Sequence, residues 1–128
     1  MATDDCTALG NALSKTARLV SITSSALELE LLTLSGNSEF WTGGNDIATQ
    51  KTFVWDLDGT EFWKDGVETG YNMWWKSNAA TQPNHKADQD CLKFKVKMKS
   101  DGSGVEKVGW DDIKCTGSEN YMCQYSIA

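Results

Sequence analysis

Two groups of oxygen-bearing side chains stand directly before two of the four cysteines of this 128-residue sequence. The members are Gln82, Asn84, Asp88, Gln89 and Asp90 before Cys91, and Asp111 and Asp112 before Cys115. Calcium takes about six to eight oxygen ligands from carboxylates, amides, backbone and water, and it tolerates irregular loops. A link between the two cysteines would bring the groups together. The pattern therefore indicates a calcium site, with a solvated acidic loop as the alternative.

The same residue types argue against catalysis. His85 is the only histidine, and no motif of an activated serine, cysteine or lysine accompanies it. Asp111 and Asp112 are neighbours, and on a strand neighbouring side chains point to opposite faces, which makes them a poor acid–base pair. We therefore expect a binding protein and not an enzyme.

The charge distribution narrows the class of partner. A net charge of −6 disfavours binding to nucleic acid or to anionic lipid surfaces. The segment "LKFKVKMKS" at residues 92–100 alternates lysines with apolar residues, which is typical of a half-buried strand with a solvated lysine face. A basic ligand stripe is the weaker interpretation. No run of about eighteen apolar residues occurs, so we do not expect membrane insertion.

The cysteine content indicates in which cellular compartment the protein is found. Cys6, Cys91, Cys115 and Cys123 lack the spacing of zinc or redox pairs. Their even number in a small protein favours two disulfides, for which arithmetic alone allows three pairings. Because disulfides persist in oxidising compartments, we expect a secreted, extracellular protein. The start "MATDDCTALG" has neither a basic nor an apolar stretch, so we interpret Met1 as part of a mature or expressed form.

Two helices are predicted in the first third of the chain. Asp4 or Asp5 is placed to cap the first. The residues that would share one face of it are Ala8, Leu9, Ala12 and Leu13. In the second, Ser25 and Glu28 have capping-box spacing, and Gly36 is placed to end the helix. Its apolar stripe would be Leu27, Leu31 and Leu34.

From residue 39 onward, short aromatic and β-branched runs separated by turns indicate sheet and loops. The interval from about residue 56 to residue 90 has no clear periodicity, and a loop of that size is usually functional. We predict an α+β fold of one domain over residues 1–128, in which two helices accompany antiparallel sheets and a long binding loop.

The order of motifs resembles the C-type lectin-like domain over nearly the whole chain. Two helices precede "FWTGG", which is similar to the Trp-Ile-Gly-Leu motif of that family, and "FVWDLDG" comes next. "QPN" at 82–84 looks like the sugar motif Glu-Pro-Asn or Gln-Pro-Asp of the family. "GWDDIKC" looks like its Trp-Asn-Asp motif, and "YMCQY" looks like its last strand.

The resemblance implies a disulfide between Cys91 and Cys115 and another between Cys6 and Cys123. Cys6 lies farther from "LVSI" than the first cysteine of the family usually does. The resemblance also implies calcium (Ca2+) as cofactor and carbohydrate as partner, with a cis peptide bond before Pro83. The implied calcium ligands are Gln82, Asn84, Asp111 and Asp112. A further family ligand, normally Glu, falls at Gln89, and Asp88 or Asp90 could replace it.

The sugar specificity implied by the resemblance is mixed. Gln82 is typical of galactose-type sites and Asn84 of mannose-type sites, while Asp111 stands where the family more often has Asn. We expect a slight preference for galactose-type ligands, because Gln82 lacks the acceptor of Glu. The implied sugar contacts are Gln82, Asn84, Gln89, Asp111 and Asp112, with Trp74 as a candidate for stacking on a sugar face. A lectin-like scaffold that recognises protein, ice or mineral is the alternative, and a homodimer is a reasonable expectation because single lectin domains bind weakly.

Overall fold

The computed structural model describes residues 2–13, 17–76, 83, 89–116 and 120–125. Two helices are present, α1 (Ala2–Ala12) and α2 (Ser25–Leu34). The strands are β1 (Ala17–Leu19), β2 (Phe40–Asn45), β3 (Thr52–Trp55), β4 (Glu61–Lys64), β5 (Val67–Glu68), β6 (Cys91–Met98), β7 (Val105–Ile113), β8 (Asn120–Tyr121) and β9 (Cys123–Tyr125). The predicted α+β class with two helices and antiparallel sheets is confirmed.

The strands form two sheets. In the small sheet, β1 pairs antiparallel with β9, so the two ends of the chain meet. The larger sheet has the order β5-β4-β3-β2-β6-β7, with β8 added parallel to β2. In the long β6–β7 ladder, Cys91 lies opposite Ile113 and Leu92 opposite Asp112. This register sets Gln89 and Asp90, which directly precede Cys91, beside Asp112 at one end of the sheet.

Both predicted disulfides are present. Cys91 is bonded to Cys115, which fastens the start of β6 to the segment after β7. Cys6 is bonded to Cys123, which fastens α1 to β9. The spacing between Cys6 and "LVSI" is longer than is usual in the family. Cys6 lies in the middle of α1, so the second half of this helix takes up part of that spacing.

Helix α1 differs from its prediction. It begins at Ala2, so Asp4 and Asp5 lie inside the first turns and do not cap it. Leu9 and Leu13 are 45% and 52% exposed, whereas Cys6 and Gly10 are buried. The disulfide, and not a leucine stripe, therefore selects the buried face.

Helix α2 is capped one residue earlier than predicted. Ser24 accepts a hydrogen bond from the backbone N–H of Leu27, which satisfies one of the free donors of the first turn. Leu31 is buried but Leu34 is exposed, so the predicted stripe covers only part of the helix. Gly36 does end the helix, at a φ of 64°.

The core of the larger sheet is predominantly aromatic. Phe40 stacks on Phe94 with ring centroids 4.8 Å apart, and Trp55 stacks on Phe62 at 4.3 Å. Trp110, fully buried, meets the edge of the Phe62 ring at 5.4 Å. The resemblance also implies core or loop-anchor positions for four tryptophans, and all four are buried: Trp41, Trp55, Trp75 and Trp110. Among the described residues, neither helix has the length and apolar character needed to cross a bilayer.

The lysine segment forms β6 as predicted. Leu92 and Phe94 are fully buried, and the lysines that alternate with the apolar residues are on the other face. Each of three lysines has an acidic partner: Lys93 with Glu39 at 2.8 Å, Lys95 with Asp111 at 3.6 Å and Lys97 with Glu106 at 2.9 Å. These pairs neutralise the lysine face, which argues against a basic ligand stripe.

The interval 56–90 is not one long loop. Its first part contains the hairpin of β4 and β5, which extends the larger sheet beyond β3. The sequence concealed this hairpin because β4 and β5 are only four and two residues long. After the hairpin, the segment 73–75 hydrogen-bonds to β7: Trp110 N–H donates to Met73 O (2.7 Å), and Trp75 N–H donates to Trp110 O (2.9 Å).

Candidate functional site

The predicted ligands fall into two sets. Gln82, Asn84 and Asp88 lie outside the described residues, as does the peptide bond from Gln82 to Pro83. Gln89 and Asp90 lie just before β6, and Asp111 and Asp112 lie near the end of β7. The disulfide from Cys91 to Cys115 joins these two segments. The structure thus brings Gln89, Asp90 and Asp112 to the same end of the sheet.

Asp111 and Asp112 point to opposite faces of β7, as strand alternation requires. Asp112 is fully buried. Asp111 lies on the outer lysine face, where its Oδ2 is 3.6 Å from Lys95 Nζ. Partial burial raises the pKa of Asp111, and the positive charges of Lys95 and Lys93 oppose that rise. The two carboxylates therefore have different surroundings, with a lysine beside Asp111 and further carboxylates near Asp112.

Asp46, directly after β2, is a member of the site that the sequence alone did not reveal. Its side chain is 1% exposed, its backbone N–H donates to Asp90 O (3.0 Å), and its Oδ2 accepts from Lys51 N–H (3.0 Å). Gln50 Nε2 donates to Asp90 Oδ1 (2.7 Å). Burial raises the pKa of Asp46 to about 6, and the nearby carboxylates of Asp90 and Asp112 add to the rise. Asp46 thus adds a carboxylate close to the predicted ligands Asp90 and Asp112.

Two buried oxygens in this region receive no hydrogen bond from any described donor. They are Oδ1 of Asp46 and Oε1 of Gln89. A buried acceptor without a partner costs about 1–3 kcal/mol, and more when it is charged. A hard cation satisfies such oxygens and also relieves the repulsion among the carboxylates, so the donor set fits calcium. Within the described ranges, no three His, Cys, Asp or Glu side chains form a metal site by themselves, so amide or backbone oxygens must contribute.

The raised pKa of Asp46 predicts how the calcium-free protein responds to pH. Its folded pKa of about 6 exceeds the ordinary unfolded value of about 3.9, so the folded state binds the proton more tightly. The stability contributed by this group should therefore increase as the pH falls from about 7 towards 4. Thermal unfolding at pH 5 and pH 7 in chelator measures the change. An Asp46→Asn variant with the same pH response as the unaltered protein would contradict the assignment.

Glu28 of α2 contacts β7, the strand that carries Asp111 and Asp112, through a buried hydrogen bond. Its Oε1 accepts from Trp110 Nε1 and its Oε2 accepts from the Tyr71 hydroxyl, both at 2.9 Å. Burial raises the pKa of Glu28, and the two hydrogen bonds oppose that rise. Burial also raises the pKa of Tyr71 to about 12, together with the bond to Glu28. Because Trp110 immediately precedes Asp111 and Asp112, Glu28 holds the strand that presents them.

A Glu28→Ala variant is expected to lose about 2–4 kcal/mol of stability, because the buried Trp110 N–H and the half-buried Tyr71 hydroxyl lose their acceptor. Glu28→Gln is the matched control. Its amide oxygen can accept from Trp110, and its amide N–H can donate to the Tyr71 oxygen, so we expect a loss below about 1 kcal/mol. Urea unfolding of both variants measures the difference. Equal losses would show that packing, and not the hydrogen bonds, determines the contribution of Glu28.

The segment 73–75 lies against β7 at a glycine. A Cβ added at Gly109 would lie 2.8 Å from Trp75 Cα and 2.9 Å from Trp75 N, so the backbone of one segment would have to move. Gly109→Ala should cost about 1–3 kcal/mol and weaken ligand binding, because this segment leads into the loop of the predicted ligands. Gly104→Ala, where a Cβ meets nothing within 4 Å, is the control. Denaturant unfolding with calcium titration tests both, and an unaltered Gly109→Ala variant would contradict the prediction.

Trp74 contributes to the core more than to the surface. It is 8% exposed, its Nε1 donates to Asn72 Oδ1 (2.6 Å), and it makes edge contacts with Phe53 and Trp110 at 5.1 and 5.9 Å. Part of its ring lines a groove that also contacts Pro83. Its stacking on a sugar therefore stays a prediction.

Comparisons with known proteins agree with the fold. The family described as "Lectin C-type domain" matches residues 3–125. Lectin BRA-3 of Megabalanus rosa is 29% identical over 96 residues, which are 71% of this chain and 44% of that protein. This chain spans less than half the length of the curated relatives that it matches.

Solved structures show the same architecture. C-type lectin CEL-I from Cucumaria echinata aligns with a TM-score of 0.69 and 21% identity, over 99% of this chain and 81% of that one. A Ca2+-dependent type II antifreeze protein in its Ca2+-free form aligns with a TM-score of 0.59 and 22% identity, over 95% and 78%. At these identities the likeness demonstrates a shared fold.

Proposed function

The chain belongs to the C-type lectin domain family, and from this premise we propose that it binds carbohydrate in a calcium-dependent manner. The observation that carries the proposal is the pair of unsatisfied buried oxygens on Asp46 and Gln89, beside the carboxylates of Asp90 and Asp112. Such a group of oxygens is unfavourable without a cation. A single domain over residues 1–128, acting outside the cell as a secreted protein with its two disulfides, is part of the proposal.

The described residues would hold calcium through Asp46, Gln89, Asp90 and Asp112. The resemblance adds Gln82, Asn84 and Asp111, with Asp88 as an alternative to Gln89. When bound, the ion supplies coordination positions for neighbouring sugar hydroxyls. Each hydroxyl can also donate to a carboxylate and accept from an amide, so the arrangement of these groups selects the sugar. Because Lys95 partly neutralises Asp111, Asp111 is a weaker acceptor than a free carboxylate. We propose a slight preference for galactose-type ligands, because Gln82 lacks the second acceptor oxygen of Glu.

Calorimetric titration with calcium, and then with galactose and with mannose, tests the proposal. We expect calcium binding in the micromolar-to-millimolar range of extracellular modules, and sugar binding only after calcium. A chelator should remove the sugar signal completely. Calcium binding without heat from any sugar, or sugar binding that survives chelator, would contradict the proposal.

A second candidate is a lectin-like scaffold that recognises ice, mineral or protein without binding sugar. It is favoured by the likeness to the solved structure of a Ca2+-dependent type II antifreeze protein, and by the three amides among the sequence-predicted ligands. Thermal hysteresis of solutions containing the protein tests the ice variant of this candidate. Stabilisation of the fold by calcium, without any sugar effect on the melting temperature, would support it over the first candidate.

A further inference from the structure

A groove of about 570 Å³ opens beside Pro83. Its lining is mixed: Trp63, Met73 and Trp74 supply the apolar floor, and Asn72 adds a polar side chain. Pro83 lines the groove and stands between Gln82 and Asn84, the two ligands that the resemblance implies. The groove therefore lies beside the residue that joins these two predicted ligands in the sequence.

Two cations line this groove, Lys76 and Lys107. Neither has an acidic partner among the described residues, whereas Lys93, Lys95 and Lys97 on the same side of the sheet all do. Lys107 Nζ lies 4.1 Å from the centroid of the Trp75 ring, a cation–π contact that holds it in place. The groove thus retains positive charge on a protein whose net charge is −6.

One carboxylate, Glu68 of β5, also lines the groove. An anion in the groove is attracted to the two lysines and repelled by Glu68, so it should lie nearer to the lysines. Lysine ammonium groups bind sulfate and carboxylate oxygens through charge-assisted hydrogen bonds. The apolar floor suits the C–H face of a sugar ring.

We infer that this groove binds an acidic substituent, a sulfate ester or a carboxylate, on the saccharide that the proposed site holds. The inference rests on the proposed function, because the groove is placed to extend a ligand anchored beside Pro83. It defines the ligand class as acidic saccharides, which the overall negative charge of the protein would otherwise disfavour.

The test compares galactose and mannose with their 6-sulfates and uronic acids by calorimetry in saturating calcium. We expect at least one acidic form to bind about three- to tenfold more tightly than its neutral parent. This advantage should shrink as the ionic strength rises, because exposed charges are screened. Sulfates and uronic acids in parallel show which acidic group fits.

Substitutions assign the effect to the groove. A Lys76→Gln/Lys107→Gln double variant should lose the preference for acidic forms while retaining the affinity for neutral sugars. Lys99→Gln, in the β6–β7 turn and outside the groove, removes the same kind of charge and should retain the preference. Glu68→Gln should strengthen binding of the acidic forms. Calcium-induced stabilisation of each variant confirms that it is folded.

The outcomes separate the two proposals. Equal affinity for acidic and neutral forms, or a preference that persists in the double variant, would overturn the groove and leave the proposed function intact. Lysine-dependent binding of acidic saccharides without calcium dependence would support the groove and overturn the proposed calcium site. Binding of no saccharide of either kind would overturn both.

Discussion

An Asp112→Asn variant is expected to remain folded and to lose calcium-dependent carbohydrate binding. Asp112 is fully buried, and asparagine has nearly the same shape, so the packing beneath β7 is preserved. The substitution removes the charge of one of the two carboxylates that act on Asp46, whose Oδ1 has no hydrogen-bond partner among the described residues. Even outer partners of metal ligands change affinity about 10–100-fold when replaced, so we expect a loss of at least that size. Calorimetric titration with calcium measures it.

Two further carboxylate variants make this result specific. Asp111→Asn removes the neighbouring charge on the opposite face of the strand, where Lys95 is its partner. It should weaken calcium binding less than Asp112→Asn does. Asp101→Asn, in the exposed turn between β6 and β7, should have no effect. Greater loss in Asp111→Asn would place the ion on the lysine face and contradict the site around Asp46.

Asp112→Asn should also alter the protonation of the site. The carboxylate of Asp112 is one of the charges that raise the pKa of Asp46. Its removal should lower that pKa, and the stability of the calcium-free variant should then vary less between pH 5 and pH 7. An unchanged pH response, together with unchanged calcium affinity, would show that the two groups do not share a site.

The features predicted correctly from the sequence are those that short-range chemistry determines. Alternation of lysines with apolar residues was sufficient to define β6, because one face of a strand is buried and the other is solvated. Gly36 ends α2 because a residue without Cβ adopts positive φ at low cost. The disulfide pairing and the fold are exceptions, because they were predicted from the resemblance of the motif order to a known family and not from local chemistry.

The features that were missed depend on contacts between distant parts of the chain. Glu28 has the spacing of a capping residue, yet its carboxylate binds Trp110, which lies 82 residues away. Asp46 comes after a strand as turn residues often do, and only the pairing of β2 with β6 brings it to Asp90. The available signal was the position of Asp46 directly after the run that forms β2, whose residues are mostly buried. A carboxylate that continues a buried strand seldom lies in the core without a partner.

The disulfide between Cys6 and Cys123 should contribute more to stability than the one between Cys91 and Cys115. The first closes a loop with a sequence separation of 117, and the second one of 24. Restricting the unfolded chain predicts contributions of about 5 and about 3.5 kcal/mol, respectively. The packing of α1 should increase this difference. Its Cys6 and Gly10 are buried whereas Leu9 is exposed, so apolar packing contributes little to holding the helix and the disulfide contributes more.

Double alanine variants at each pair, unfolded in urea, measure the two contributions. Alanine avoids burying a hydroxyl at Cys6, which is fully buried. The functional effects should have the opposite order. The variant without Cys91 and Cys115 should lose more calcium affinity, because that bridge holds Gln89 and Asp90 beside Asp112. The variant without Cys6 and Cys123 should be the less stable one yet lose less calcium affinity. Cys6 packs in one cluster with Cys91 and Ile113, but its bridge to Cys123 bonds neither of the segments that carry the described ligands. The prediction would be contradicted if one variant showed both the larger loss of stability and the larger loss of calcium affinity.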